Sequence, residues 1–233
     1  MPPGCLALFI LLAFLFLVPF FFTHAMVTAL SRLGLSPELA FLVLVGIFIG
    51  GLINIPVRRI EREREVDYDP FGVFGLERIF PRFGWTRPAP FRRTVRTYVV
   101  LAVNVGGCLI PAVLAVYEIF RVAAVGDRPF LVMAGVTALN IAVCYRIARP
   151  IPNVGIAMPA FIPPLVAVIP SVLLVPEFAP PVAFTAGVLG PLVGADLLHL
   201  RDIERLQTGI ASIGGAGTFD GIVLSGMIAA LLA

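Results

Sequence analysis

The chain has 233 residues, 59% of them hydrophobic and 13% charged, with a mean hydropathy of +1.01 and a formal net charge of +3. A water-soluble domain carries about 25% charged residues, so this composition excludes an ordinary soluble enzyme. Its positive charge is supplied by arginines interleaved with Glu61, Glu63 and Glu65, which gives no support to a nucleic-acid partner.

Seven apolar stretches of roughly membrane-spanning length lie near 5–23, 37–56, 98–119, 129–147, 152–175, 179–199 and 209–232. They predict an all-α integral membrane protein with about seven transmembrane helices and the lipid bilayer as its surroundings. The first stretch has no basic n-region, and its run from Cys5 to Phe22 is longer than a signal-peptide core, so it is expected to be a span. All 17 basic residues are Arg. Fourteen fall on one side: ten between 57 and 97, then Arg146, Arg149, Arg201 and Arg205, leaving Arg32, Arg121 and Arg128 opposite. The positive-inside rule then places the N-terminus in the cytoplasm and the C-terminus outside, as for a multi-pass protein of a prokaryotic cell membrane. Cys5, Cys108 and Cys144 lack metal-ligand spacing and read as small apolar fillers.

Three parts follow in chain order: residues 1–56 with the first two spans, a cytoplasmic connection at 57–97, and a five-span bundle at 98–233. The connection is expected to start as a short charged helix continuing span two. Phe71, Phe74, Phe80, Phe83, Trp85 and Phe91 then alternate with Arg and Pro, the composition of a segment at headgroup level. A loop that gates access or binds a partner is the alternative. Span five carries prolines at 152, 159, 163, 164, 170 and 176, so a straight helix is not expected. Gly190-Pro191 interrupts span six, and Gly209, Gly214, Gly215 and Gly217 open span seven. Asn104, Asn140 and Asn153 bridge helices or line a polar cavity. Glu118 and Asp127 are assigned to the outer connection between spans three and four, Glu38 and Glu177 to span ends, and Asp202 and Glu204 to a solvated turn.

Asp196 and Asp220 differ from every other acid because they sit inside apolar segments, 24 positions apart. A carboxylate at the centre of a membrane helix costs about 3 kcal/mol on insertion scales and marks a working site by default. Span six runs inward and span seven returns, so both acids can meet at a cytoplasm-facing cavity. Three chemistries use such a pair. Two carboxyls sharing a proton can activate water and protonate a leaving group. The same acids can relay protons or bind a cation in a coupled transporter. Asp196 and His199, at i and i+3, could join Asp220 on a metal, but a single His makes this the weakest fit, and no metal or cofactor is expected. A buried carboxyl pair that only fixes helix packing is the remaining reading.

Ala195-Asp196-Leu197-Leu198 and Gly217-Thr218-Phe219-Asp220 resemble the signatures of the intramembrane aspartyl proteases, the presenilin and signal peptide peptidase group. That group carries Tyr-Asp on one span, Gly-x-Gly-Asp on the next, and Pro-Ala-Leu elsewhere. Here the tyrosine is absent, one extra residue separates glycine from Asp220, and Pro159-Ala160-Phe161 precedes the acids instead of following them. The resemblance implies Asp196 and Asp220 as catalytic acids acting on transmembrane-helix substrates. Gly214, Gly215 and Gly217 would admit the substrate backbone, and Pro159 and Ala160 would line the entry. DLLHLRDIERL followed by SIGGAGTFDGI also resembles a prokaryotic multi-pass membrane family of unassigned function, which implies location and topology but no activity.

Overall fold

The computed structural model describes residues 3–68, 91–151, 155–202, 209–215 and 220–233. The chain is mostly helical. Among the described residues, four helices are long and apolar enough to cross a membrane: Phe14–Ser31, Val105–Val125, Asp127–Ile147 and Pro176–Leu197. Three shorter apolar helices accompany them, Pro37–Gly50, Ile162–Leu174 and Gly221–Leu232. Large apolar side chains such as Phe16, Phe120 and Leu173 are more than 70% exposed, as lipid contact requires and water would penalise.

Helix α1 (Pro3–Ser31) turns at Leu33-Gly34, where Gly34 has φ +82°, into α2 (Pro37–Gly50). The Ser36 hydroxyl caps α2 by accepting from Leu39 N at 3.3 Å, and Pro37 occupies the first turn, where its missing N–H costs nothing. The chain then leaves the helical pattern. Strand β1 (Asn54–Tyr68) pairs antiparallel with β2 (Phe91–Asn104). The expectation of a charged helix after span two is therefore wrong. Alternating Arg and Glu suit a period of two, because the register sets Glu63 opposite Arg96 and Asp67 opposite Arg92. In a helix, Glu61 and Glu65 would instead stack as like charges at i and i+4. The aromatic stretch from Phe71 to Trp85 lies outside the described residues.

After β2, a π-helical turn (Val105–Leu109) leads into α3 (Ile110–Val125), and Gly126 separates α3 from α4 (Asp127–Ile147). The hairpin β3 (Arg149–Ile151) and β4 (Gly155–Ala157) precedes α5 (Ile162–Leu174). Among the described residues of span five, only Ile162–Leu174 is helical, and Gly155–Ala157 ahead of it is a strand. Helix α6 (Ala179–Leu189) continues as a π-helix through Gly190–Leu197. Strand β5 (Gly209–Ile213) pairs parallel with Val99–Val103 of β2, and α7 (Gly221–Leu232) closes the chain. The sheet order is β1-β2-β5. The starts of predicted spans three and seven are therefore strands, and span two ends at Gly50.

Helix α6 is the axis of the bundle and packs against α3, α4, α5 and α7. Nearly every residue from Ala179 to Val188 is buried. Small residues make this possible, since lipid supplies no hydrophobic drive and close backbone approach must supply dispersion contacts. A Cβ at Gly187 would lie 2.8 Å from the Ser225 carbonyl oxygen on α7, and one at Gly194 would run into the Ile141 carbonyl on α4. Two apolar clusters flank this axis, one including Leu30, Leu44, Phe184 and Met227, the other Val122, Met133, Val182 and Ala229.

The connections separate to two ends. At one end, a Cβ on Gly34 would strike the Arg121 guanidinium, and Arg128 donates to the Leu174 carbonyl at 3.5 Å. This joins the α1–α2, α3–α4 and α5–α6 turns. Glu118 belongs here, not in a loop: it lies within α3, fully buried, with its carboxylate 2.8 Å from Arg121. Asp127 is the first residue of α4. The other end gathers the sheet, the β3–β4 hairpin and the breaks around the two aspartates.

Candidate functional site

At this second end an asparagine fastens the frame. Asn104 donates to the Gly51 carbonyl at 2.8 Å and to Asn54 Oδ1 at 3.1 Å, and its own Oδ1 accepts from Gly107 N at 2.7 Å. The Ser212 hydroxyl donates to Asn54 Oδ1. One buried amide thus ties the end of α2, the roots of β1 and β2, and the π-turn before α3, while Asn54 brings in β5. Gly214 follows β5 with φ +70°, and a Cβ there would lie 2.7 Å from Cys108 N. Its missing side chain serves packing against the chain's own backbone.

Asp196 stands in the last turn of the π-helix. Pro191 has no N–H to give, Gly190 and Gly194 seat the segment against Asn140 and Cys144, and the widened ladder closes with Leu198 N on the Val193 carbonyl at 3.0 Å. Such π segments absorb one extra residue and re-aim the side chains that follow. Asn140 bridges α4 to α6 by donating to the Ala186 carbonyl at 2.8 Å. Asp220 is the N-cap of α7: it is extended at φ −68°, ψ 148°, and Oδ1 accepts from Ile222 N at 3.0 Å.

Both aspartates are half-buried and line one cavity of about 540 Å³. They lie within electrostatic reach of each other. Ala160, Gly214 and Gly215 line the same cavity, as do Leu101, Met158 and Ser212, which sequence reasoning did not select. Buried Cys108 lies within electrostatic reach of both acids. Nothing in the sequence around Leu101 or Cys108 points to the acids; the β2–β5 pairing and the π-turn bring them there. Pro159 is not on the acid cavity but on a neighbouring one, and Gly217 lies outside the described residues.

His199 turns toward backbone. Its Nδ1 is 3.2 Å from the Gly194 carbonyl and 3.1 Å from that of Ala195, so Nδ1 carries the proton and donates. The ring rests on Tyr145 at 4.9 Å. Among the described residues, no three His, Cys, Asp or Glu gather closely enough to hold a metal ion. The arrangement offers two carboxyls beside an open cavity, one on a π-helix and one at a helix start.

No curated protein and no solved structure matches the chain. The family model described as Protein of unknown function (DUF1614) matches residues 48–232, from the end of α2 through α7, and the chain belongs to that family.

Proposed function

We propose that the chain is a multi-pass protein of a prokaryotic cell membrane in which Asp196 and Asp220 form the acid/base pair of an intramembrane aspartyl protease-like site. The supporting observation is that both carboxyls line one cavity within electrostatic reach of each other. Two neighbouring carboxyls favour a state in which they share a single proton. The ionised carboxylate takes a proton from water as the water oxygen attacks the peptide carbonyl, and the protonated partner gives its proton to the developing oxyanion. Collapse of the tetrahedral adduct returns that proton, transfers the other to the leaving nitrogen and breaks the C–N bond. The substrate is a transmembrane helix unwound near the cavity, with the bilayer as the site's surroundings.

The proposed topology has seven crossings with the N-terminus in the cytoplasm. Of the three short helices, α2 completes its crossing through the root of β1, and the other two through β3–β4 and β5. Non-helical backbone is tolerated at membrane depth where it lines a cavity, and β4 and β5 line this one. The acid cavity then opens on the cytoplasmic side, where fourteen of the 17 arginines lie.

A second reading is cation- or proton-coupled transport, favoured by one feature: each acid sits at a helix interruption, as coupling-ion sites in transporters do. The experiment separates the two. Wild type, Asp196→Asn and Asp220→Asn are reconstituted with transmembrane-helix substrates, and cleavage is measured beside ion flux. The protease reading predicts cleavage by wild type and its loss in both variants. Flux lost in the variants, without any cleavage by wild type, overturns it.

A further inference from the structure

Beside the acid cavity lies a second concavity of about 510 Å³. Arg146 and Arg149 line it together with Ile151, Ala157, Met158 and Pro159. Arg146 belongs to the last turn of α4, where a cation complements the helix dipole, and Arg149 opens β3. Dipole complementation accounts for one arginine, not for two in the same concavity. Among the described residues, neither guanidinium forms an ion pair. Both side chains are exposed, and a planar guanidinium presents paired donors that match phosphate or carboxylate, so two of them lining one apolar-walled concavity suit an anion.

The surroundings select the source of the anion. Just beyond Pro159 a stripe of exposed apolar residues runs along α5: Phe161, Leu165, Ile169 and Leu173, at 70%, 47%, 56% and 75% exposure. The spacing of four keeps them on one helical face, over a length of ~18 Å, about one leaflet of hydrocarbon. A free anion has no use for such a track, whereas an acyl chain does.

We propose that the Arg146–Arg149 cavity binds the phosphate of an anionic phospholipid from the arginine-rich leaflet, with an acyl chain along the α5 stripe. Ala157 and Met158 line both this cavity and the acid cavity, so the bound lipid lies against the wall that separates them.

The test uses the full chain in mixed nanodiscs of phosphatidylglycerol and phosphatidylcholine, with retained lipid read by native mass spectrometry after transfer to detergent. Wild type is expected to retain phosphatidylglycerol over phosphatidylcholine by about tenfold or more, the scale of two arginines near an anionic surface. Arg146→Gln/Arg149→Gln is expected to lose that preference, and Leu165→Ser is expected to lower total retention. A lysine pair at the same positions keeps charge and is expected to keep part of the preference; it also replaces the glutamine pair if the latter fails to fold. Short-chain phosphatidylglycerol is expected to displace the lipid, and inorganic phosphate at equal concentration is not. A folded glutamine pair with wild-type preference overturns the proposal, as does equal displacement by inorganic phosphate. The same measurement on Asp196→Asn/Asp220→Asn is expected to match wild type, so failure of the protease reading leaves this result unaffected.

Discussion

Glu118 and the Asp196–Asp220 pair are all carboxylates among apolar helices, yet the fold treats them in opposite ways. Glu118 is fully covered, 2.8 Å from Arg121 one turn further along the same helix, and that arginine lies under the α1–α2 turn at Gly34. The two aspartates instead border an open cavity, within electrostatic reach of each other. The first arrangement covers a carboxylate beside its arginine; the second exposes two acids to whatever enters. Burial of an acid alone therefore does not mark chemistry. On the proposed reading, access and a second acid do.

Breaking the Glu118–Arg121 pair has the largest expected effect on stability. Arg121→Met leaves Glu118 buried without its partner and is expected to lower unfolding free energy by about 3 kcal/mol. Thermal unfolding in detergent reads this, while cleavage per folded molecule stays at wild type. Loss of cleavage with stability intact would erase the contrast between the two ends. Gly194→Leu comes next. Its side chain meets the Ile141 carbonyl and Tyr145, an overpacking expected to cost about 2–3 kcal/mol and to displace Asp196 two residues on, so stability and activity fall together.

Asp220 carries two duties, and substitution separates them. Asp220→Ala loses the α7 cap, at about 1 kcal/mol, whereas Asp220→Ser keeps a capping oxygen and most of that stability. Both are expected to be inactive. A serine variant that retains activity would reduce Asp220 to a cap. Smallest is Ser212→Ala, which removes the hydroxyl bond to Asn54 but leaves Asn104 in place; about 0.5–1 kcal/mol is expected, with cleavage lowered only modestly.

The acids were legible in the sequence because a charge in an apolar run is costly wherever the run folds. The helix breaks were legible too, from Pro191 and the Gly209–Gly217 cluster. Their form was not: Gly190–Leu197 stays helical but widens, while Gly209–Ile213 becomes a strand. Tyr98–Asn104, YVVLAVN, shows why. A short apolar run has no periodicity to separate buried strand from helix, and only the β-branched Val99, Val100 and Val103 favour the strand that forms. The alternating Arg and Glu of β1 carried a period-two signal that a hydropathy reading passes over. Glu118 was misplaced because the apolar window was ended at 119, before Arg121, while α3 continues to Val125. Leu101 and Ser212 reach the cavity, and Cys108 comes within electrostatic reach of the acids, only through pairing and packing that no local pattern records.

The central claim is that Asp196 and Asp220 act as one unit. A cycle of Asp196→Asn, Asp220→Asn and the double variant, assayed for cleavage of a transmembrane-helix substrate at matched folded protein, tests it most directly. Each single variant is expected to lose about a thousandfold, and the double variant no more than either single one, as residues acting together are non-additive. Losses that multiply in the double variant, or a single variant with near wild-type cleavage, would contradict the account.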